Sequence, residues 1–383
     1  MRTGKKVAIG VGGSFHSERM ALALTQGGYH VDLYPTLPRF KFQKFNQSLI
    51  HPIIFPEIVL RAGEKLGFEN SADLWKMRLF GWEFAKRLRG KNPDVVISWS
   101  SFGVEAFREN PNARKILIRD SAHIQTQFEI LRKEFARNGL TFPIRAVCEE
   151  RELQEYEIAD EIIVLSQFAY DSFRHHGVAA SKLSINPIAA DTEVFFQGPE
   201  RKLTLPLKVV YFGNISLQKG ITYLLKAMEA LPPSLINLEL VGTPTQDFLK
   251  VGKFNPNVKF LPYKAHAELS AYLRDKDVFI FPSLHDGFGA VVPQAMATGL
   301  IPVVTDRCGA ADLITPGKNG LIIPAGDSDA IVANLTQLAI DLPFAQRLRD
   351  HVRHNPAKWT WENYSDRLNE IMTGSATKLS LSR

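Results

Sequence analysis

Residues 278–299 read VFIFPSLHDGFGAVVPQAMATG. The apolar run Val278–Phe281 passes through Pro282 into the glycine-rich loop Asp286-Gly287-Phe288-Gly289, and an apolar segment follows that stops at Gly299. This is strand, loop and helix in the order that a βα unit needs. An apolar run without polar alternation marks a strand covered on both faces, as in a parallel sheet. Runs of the same kind lie on either side of it: Val7–Val11, Val31–Tyr34, Val95–Trp99, Ile116–Ile118, Ile162–Leu165, Val209–Phe212, Leu238–Val241, Val258–Leu261, Pro302–Val304 and Leu321–Ile323. Each is bounded by Gly, Pro or Asp, with helical stretches between. The pattern predicts doubly wound α/β layers with right-handed crossovers. So many strands exceed one open sheet of ordinary size and suit two.

The chain has 383 residues, more than one hydrophobic core usually organises, which agrees with two domains. Hydrophobic residues make up 45% and charged residues 22%, which excludes a disordered or fibrous protein. Two cysteines, Cys148 and Cys308, cannot build a disulfide framework or a zinc site, and a reducing compartment is expected. No apolar run approaches the ~20 residues of a membrane-spanning helix. The opening MRTGKKVAIGVGGSF reads as a first strand, because its apolar stretch is too short and too rich in glycine for a signal sequence. A mixture of Pro, Gly and charge at 187–208 separates a closing strand from a fresh one. We therefore expect a first Rossmann-like domain at 1–195 and a second at 196–355. Residues 356–383 would form a terminal helix around Trp359, Trp361 and Tyr364 that crosses back to the first domain, followed by a polar tail. Ligands of open α/β sheets bind beyond the carboxyl ends of the strands, so two such domains face to face predict a site in the cleft between them.

Several segments can carry chemistry there. Gly10-Val-Gly12-Gly13 follows the first strand, and glycines at that place let backbone amides approach a phosphate. The dinucleotide pattern G-x-G-x-x-G fails because Phe15 takes the place of its third glycine, and a ligand-free tight turn fits equally well. Gly213-Asn214-Ile-Ser-Leu-Gln-Lys219-Gly220 opens the helix after the strand Val209–Phe212, where a lysine beside free helix-start amides can hold a diphosphate. It is not a P-loop. In the 278–299 segment, Asp286 and the Gly-Phe-Gly loop offer a fixed acceptor and exposed amides to sugar hydroxyls, with Gln294 two helical turns beyond. An N-capping aspartate explains one of these residues but not the set. His123 lies just past the carboxyl end of Ile116–Ile118, where structural and catalytic roles both fit. His175, His176, His351 and His354 read as surface, as does Asp275-Lys-Asp277, although it mimics a metal-binding D-x-D.

Charge is unevenly spread. Residues 1–150 hold 23 Lys and Arg against 15 Asp and Glu, a net +8, whereas 151–383 hold 23 against 25, a net −2. The basic half implies an anionic partner. Within it Arg39, Phe40, Lys41 and Lys44 interleave bases with aromatics, and Arg78, Lys86, Arg87, Arg89 and Lys91 extend the basic face. Without a nucleic-acid motif, a membrane surface or an anionic glycan is the favoured partner and nucleic acid is not expected. A solvated face fits as well.

From the linker onward the chain resembles the family-4 glycosyltransferases of GT-B fold, within the group 1 glycosyltransferases. Residues 209–370 carry the likeness nearly end to end, through FGNISLQKGITYLLKAM, NVKFLPYKAHAELSAYLRDKDVFIFPSLHDGFGAVVPQAMATGLIPVVT, DLITPGKNGLIIPAGDSDAI and WTWENYSDRL. The first domain is similar more loosely, through Gly12-Gly13, the Ala159–Ser166 stretch and Asp191-Thr-Glu-Val-Phe195.

The resemblance implies a hexosyltransferase that takes a hexose from a UDP- or GDP-sugar and transfers it with retention at the anomeric carbon. It requires no metal or cofactor, since the nucleotide sugar is a substrate. By position, Lys219 would hold the donor diphosphate, Asp286 with the Gly287, Phe288, Gly289 and Ala290 loop the sugar hydroxyls, and Gln294 the ribose. Tyr263 would border the base, Gly213 and Asn214 would line the donor, and Gly12 and Gly13 would close over the diphosphate. His123 would touch the transferred sugar, making His123, Lys219 and Asp286 the catalytic set. The basic, aromatic first domain makes a glycan, lipid-linked or lipopolysaccharide-type acceptor the expectation, with a cytoplasmic location, peripheral on the inner face of the membrane. Three departures from the family stand out: its E-x7-E motif is Asp286-x7-Gln294, and its usual arginine after the strand glycine is Asn214. They keep two rivals open, a non-catalytic nucleotide-sugar-binding subunit and a nucleotide-sugar 2-epimerase of the same fold. The broken glycine fingerprint makes a nicotinamide oxidoreductase a distant third.

Overall fold

The computed structural model describes residues 4–65, 69–143, 146–252, 255–355 and 360–375. Two six-stranded parallel sheets organise them. The first contains β1 (Lys6–Val11), β2 (His30–Pro35), β3 (Val95–Trp99), β4 (Arg114–Arg119), β5 (Glu161–Val164) and β6 (Leu183–Ile185), in the order β2-β1-β3-β4-β5-β6. The second contains β7 (Leu207–Phe212), β8 (Ile236–Val241), β9 (Val258–Leu261), β10 (Val278–Phe281), β11 (Ile301–Thr305) and β12 (Leu321–Ile323), in the order β12-β11-β10-β7-β8-β9. The inner strands are buried along nearly their whole length because helices cover both faces, which is why they read as continuous apolar runs. The expected strands all form. The sequence reading missed β6, a three-residue edge strand paired with β5 through Ile162 to Leu183.

The strand orders decide where ligands can bind. In the first sheet the chain leaves β1 for β2 on one side and returns to β3 on the other, so the order reverses between β1 and β3. In the second it leaves β7 for β8 and later comes back to β10, paired as Val278 to Val209. At such reversals the crossovers diverge and open a crevice at the carboxyl ends of the strands. Gly12 and Gly13 follow β1, whose last residues include Gly10, Gly213–Gly220 follows β7 and the Asp286–Gly289 loop follows β10, so all three glycine-rich segments lie at these reversals.

The Trp361–Thr373 helix returns to the first sheet and buries Tyr364, Leu368, Ile371 and Met372 in its core. A capping box at Thr360 and Asn363 starts it. Arg114 donates to the carbonyl of Met372 at 2.7 Å, and Asn186 donates to that of Tyr364 at 3.4 Å. Trp359 and the polar tail from 376 lie outside the described residues.

Asp277 corrects the surface reading of Asp275-Lys-Asp277. Asp275 is exposed and pairs with Lys208, but Asp277 is buried between Arg201 at 2.5 Å and Arg349 at 3.3 Å and accepts from the Lys208 amide. Burial, with Arg201 nearby, pulls the Arg349 guanidinium down to about 10 despite Asp277. His176 is likewise half-buried, with its ring stacked on His123.

Leu368 is fully buried, so Leu368→Ala should destabilise the protein by about 2–5 kcal/mol through lost burial and the cavity left behind. Urea unfolding followed by circular dichroism checks this; a change below ~1 kcal/mol would mean the helix contributes little to the first core.

Candidate active site in the interdomain cleft

On the first domain, the turn after β1 is packed from below. A side chain on Gly12 would collide with the Phe102 ring, and one on Gly10 with Phe84, so a larger residue at either position would force that ring to move. Phe15, at the position of the missing third glycine, projects into solvent and stacks on Trp99 with ring centroids 6.2 Å apart. Trp99 donates from its indole nitrogen to Asp120 at 2.8 Å. His16 is buried between Trp99 and Tyr364, and that burial lowers its pKa against the opposing pull of Asp120.

On the second domain, Gly213 and Gly242 end β7 and β8 with positive φ, and their backbones lie so close that a Cβ on Gly242 would strike the Gly213 carbonyl. Gly220, at φ 66°, starts the Ile221–Ala230 helix, and a Cβ there would strike the Pro282 carbonyl. These contacts hold Lys219 against the loop after β10. Its ammonium forms an ion pair with Asp286 across 67 positions of sequence and lies 5.4 Å from the centre of the Phe281 ring. Asp286 also accepts from the Phe288 amide at 3.2 Å, while its own amide donates to the Arg307 carbonyl. Burial, reinforced by Asp286, pushes the Tyr211 phenol well up, and its hydroxyl donates to the Asn214 carbonyl.

The two domains meet at Gly287. A Cβ there would collide with the Asp120 carbonyl and with Ser121, and Ser166 donates to the Gly287 carbonyl at 2.6 Å. Ser121 and the ring of His285 share a hydrogen bond of 3.2 Å, and the Gln167 amide donates to Asp312. Tyr223 donates to Glu134 at 2.7 Å and accepts from Arg137. Beside this seam lies a cavity of about 620 Å³ that shares none of the expected donor residues; Lys133, Arg137, Phe168, Asp171, Leu284 and Arg307 are among its lining.

The structure thus brings Lys219 and Asp286 together and sets Gly12, Gly13, Gly213 and Gly287 at the facing strand ends. Asn214, Ala290 and Tyr263 are exposed, and Gln294 is half-buried on the Val291–Ala297 helix. The Phe288 side chain belongs to the core of the second domain, so only its backbone faces the loop. Gly289 takes φ 83°, a conformation that suits glycine. His123 is seated differently from the expectation. It caps the Ile124–Arg137 helix, and its buried ring packs among Tyr156, Phe173 and His176. Burial and the neighbouring His176 and Arg119 bring it down to about 3. The first-domain groups against Gly287 are instead Asp120 and Ser121. Of the basic segment, Arg39 donates to the Ile50 carbonyl and Lys44 pairs with Asp191 and Glu193, while Phe40 is exposed with Lys41 over its ring. Asp120, Ser121, Ser166 and His285 were not singled out from the sequence. Their one common signal is position, directly after β4, β5 and β10.

Residues 196–355 match the family model for glycosyl transferases group 1. Among curated relatives, the D-inositol 3-phosphate glycosyltransferase of Corynebacterium urealyticum is 27% identical over 256 residues, covering 59% of this chain and 59% of that protein. The chain spans less than two thirds of the length of the curated relatives it matches. Among solved structures, the sucrose-phosphate synthase of Thermosynechococcus elongatus superposes with a TM-score of 0.69 at 18% identity, over 97% of this chain and 98% of that one. The Anabaena protein HepE, in complex with UDP and glucose, gives 0.61 at 14% identity, over 96% and 99%. The second half of the chain thus matches the group 1 glycosyltransferases, and the two-sheet architecture is the GT-B fold.

His285 is fully buried, and burial brings it down to about 3 although Asp286 opposes the shift. The unfolded chain, with an ordinary histidine near 6.5, binds the proton first, so this group makes stability fall as the pH drops from about 7 toward 3. Between pH 7 and 5 the loss from His285 should be about 2 kcal/mol. Urea midpoints of the wild type and of His285→Asn at both values test this. Equal losses in the two proteins would remove His285 as the source.

Proposed function

We propose that the protein is a family-4 retaining glycosyltransferase that transfers a hexose from a UDP- or GDP-sugar to a glycan, lipid-linked or lipopolysaccharide-type acceptor. The observation that carries this reading is the Lys219–Asp286 pair, held between two glycine loops at the facing strand ends of the two sheets. A nucleoside diphosphate laid across β7 would meet the Gly213 backbone and Lys219. Its negative charge competes with Asp286 for the ammonium, leaving the Asp286 carboxylate as an acceptor for hydroxyls of the donor sugar. In the transfer step the acceptor oxygen bonds to the anomeric carbon on the face the diphosphate leaves. The sugar–phosphate C–O bond breaks, and the acceptor proton passes to the departing phosphate oxygen. Lys219 and the loop amides stabilise the charge that grows on that oxygen. That HepE was solved with UDP and glucose supports a uridine nucleotide as the first donor to try. The basic first half points to an acceptor presented on an anionic membrane surface, with the protein on the cytoplasmic side. No helix among the described residues is long and apolar enough to cross a membrane.

Thermal unfolding in the presence of UDP-, GDP- and ADP-sugars tests the donor site. A ligand at ~100 times its Kd adds about 2.7 kcal/mol and raises Tm. One nucleotide class should stabilise the wild type and have much less effect on Lys219→Ala. Removing one preorganised donor of this kind lowers kcat by about 10²–10³, so transfer by Lys219→Ala should fall by that factor with circular dichroism unchanged. A nucleotide shift without any transfer or hydrolysis would favour the non-catalytic subunit. Gln294→Glu should tighten donor binding by restoring a charged acceptor for ribose hydroxyls; unchanged affinity would place Gln294 away from the ribose.

A further inference from the structure

We infer that the Phe55–Lys65 and Glu69–Leu88 helices form the surface by which the protein lies on an anionic lipid bilayer, beside the mouth of the cleft. The inference rests on the membrane partner proposed above, but not on the transfer reaction. Ile54, Phe55, Ile58, Trp75 and Trp82 are each between 41% and 63% exposed. No other stretch of the described residues presents so many large apolar side chains to solvent. The spacing makes them two stripes: Ile54 and Ile58 lie four apart at the start of the first helix, and Trp75, Leu79 and Trp82 lie at i, i+4 and i+7 on the second. Between the stripes is a groove of about 260 Å³ lined by Ile54, Phe55, Leu79 and Trp82, with Glu83 and Arg87 also in its wall.

The charge around this apolar face selects its occupant. Residues 39–91 hold eleven Lys and Arg against five Asp and Glu, a net +6, equal to the formal charge of the entire chain. Two of the acids are neutralised within the patch, since Glu57 pairs with Lys76 and Arg61, and Glu83 with Arg87 and Lys86. Lys86 lies 5.1 Å from the centre of the exposed Trp82 ring and Lys41 5.6 Å from that of Phe40. Aromatic and aliphatic side chains set in a segment of net positive charge fit the boundary between acyl chains and negatively charged head groups.

The location ties the surface to the site. Ile53 donates to the Pro35 carbonyl at the end of β2, the same end of the sheet as Gly12 and Gly13, and the first helix starts two residues later. The second helix turns Phe80 and Phe84 inward. Phe84 lies directly beneath Gly10, and Phe80 packs edge-on against Phe102, the ring beneath Gly12. One helix therefore supports the glycine turn on its inner side and offers Trp75 and Trp82 on its outer side. A bilayer against that outer side would present a lipid-linked acceptor at the rim of the cleft.

Co-sedimentation of the full chain with vesicles of phosphatidylglycerol and phosphatidylcholine, compared with phosphatidylcholine alone, tests this. The wild type should bind the anionic vesicles and release as salt rises. Phe55→Ser combined with Ile58→Ser and Trp82→Ser should lower the bound fraction at least ten-fold, and Arg78→Glu with Lys86→Glu should do the same. Both variants should keep wild-type circular dichroism and the nucleotide-dependent Tm shift. Wild type that stays in the supernatant overturns the membrane partner and this surface together. Wild-type binding that both variants retain overturns the surface alone. A dimer in light scattering that Ile58→Ser dissociates overturns it in favour of a second copy of the chain.

Discussion

The backbone at Gly287 touches the backbone at Asp120 and Ser121 with no room for a side chain between them, and the geometry of the cleft depends on this. Gly309 repeats the constraint one layer back, where a Cβ would strike the Gly287 carbonyl and Ser166. Contact at this distance lets Ser166 donate to the Gly287 carbonyl and Ser121 share a hydrogen bond with His285, so these groups are paired across the seam. A buried polar group left without a partner costs more than the bond itself is worth, and pairing of this kind fixes one relative placement of the two sheets. That placement brings the Asp120 end of β4 to the Asp286 loop after β10, with the Gly213 turn on neighbouring β7 and the Gly12 turn on β1, two strands from β4.

Buried polar clusters brace the strand ends of each domain as well. Glu155 is fully buried and accepts from the amides of Ser101 and Gly103 at 2.6 Å each, so it holds the loop that carries Phe102 beneath Gly12. Burial raises its pKa to about 8 even though both amides pull the other way. Arg119, Glu152 and Tyr156 extend this network from the end of β4. In the second domain, Asp277 between Arg201 and Arg349 joins the start of β7 to the Leu342–His354 helix. Such clusters contribute little net stability, because desolvation offsets the attraction, but removing one partner leaves the other charge buried and unpaired. Their effect is to fix where the strand ends point.

The sheets were legible in the sequence because strands covered on both faces must be apolar throughout, and the glycine turns were legible because close backbone approach admits no other residue. Leu183–Ile185 escaped because three residues with serine at the centre carry no period. Asp277 and His176 were misread as surface because polarity alone does not reveal a buried counter-charge or a stacked ring. His123 stands at a strand end, as a cleft residue should, yet sequence does not say which way a capping side chain turns, and here it turns inward onto Phe173 and Tyr156. The seam itself was out of reach, since Ser121 and His285 are 164 residues apart and neither belongs to a repeating pattern.

The Lys219–Asp286 pair gives the departures from the family a physical setting. Aspartate has a shorter arm than glutamate, and here its carboxylate is already held by the Lys219 ammonium and the Phe288 amide. With Asn214 in place of arginine, the proposed donor site keeps Lys219 as the cation that Asp286 neutralises. Two largely buried opposite charges forgo hydration that a diphosphate would otherwise have to displace. In the proposed function, donor binding would be an exchange of one anion for another at the same ammonium. In that exchange the Asp286 carboxylate keeps the Phe288 amide on one oxygen, and the oxygen released by Lys219 is left for the sugar hydroxyls.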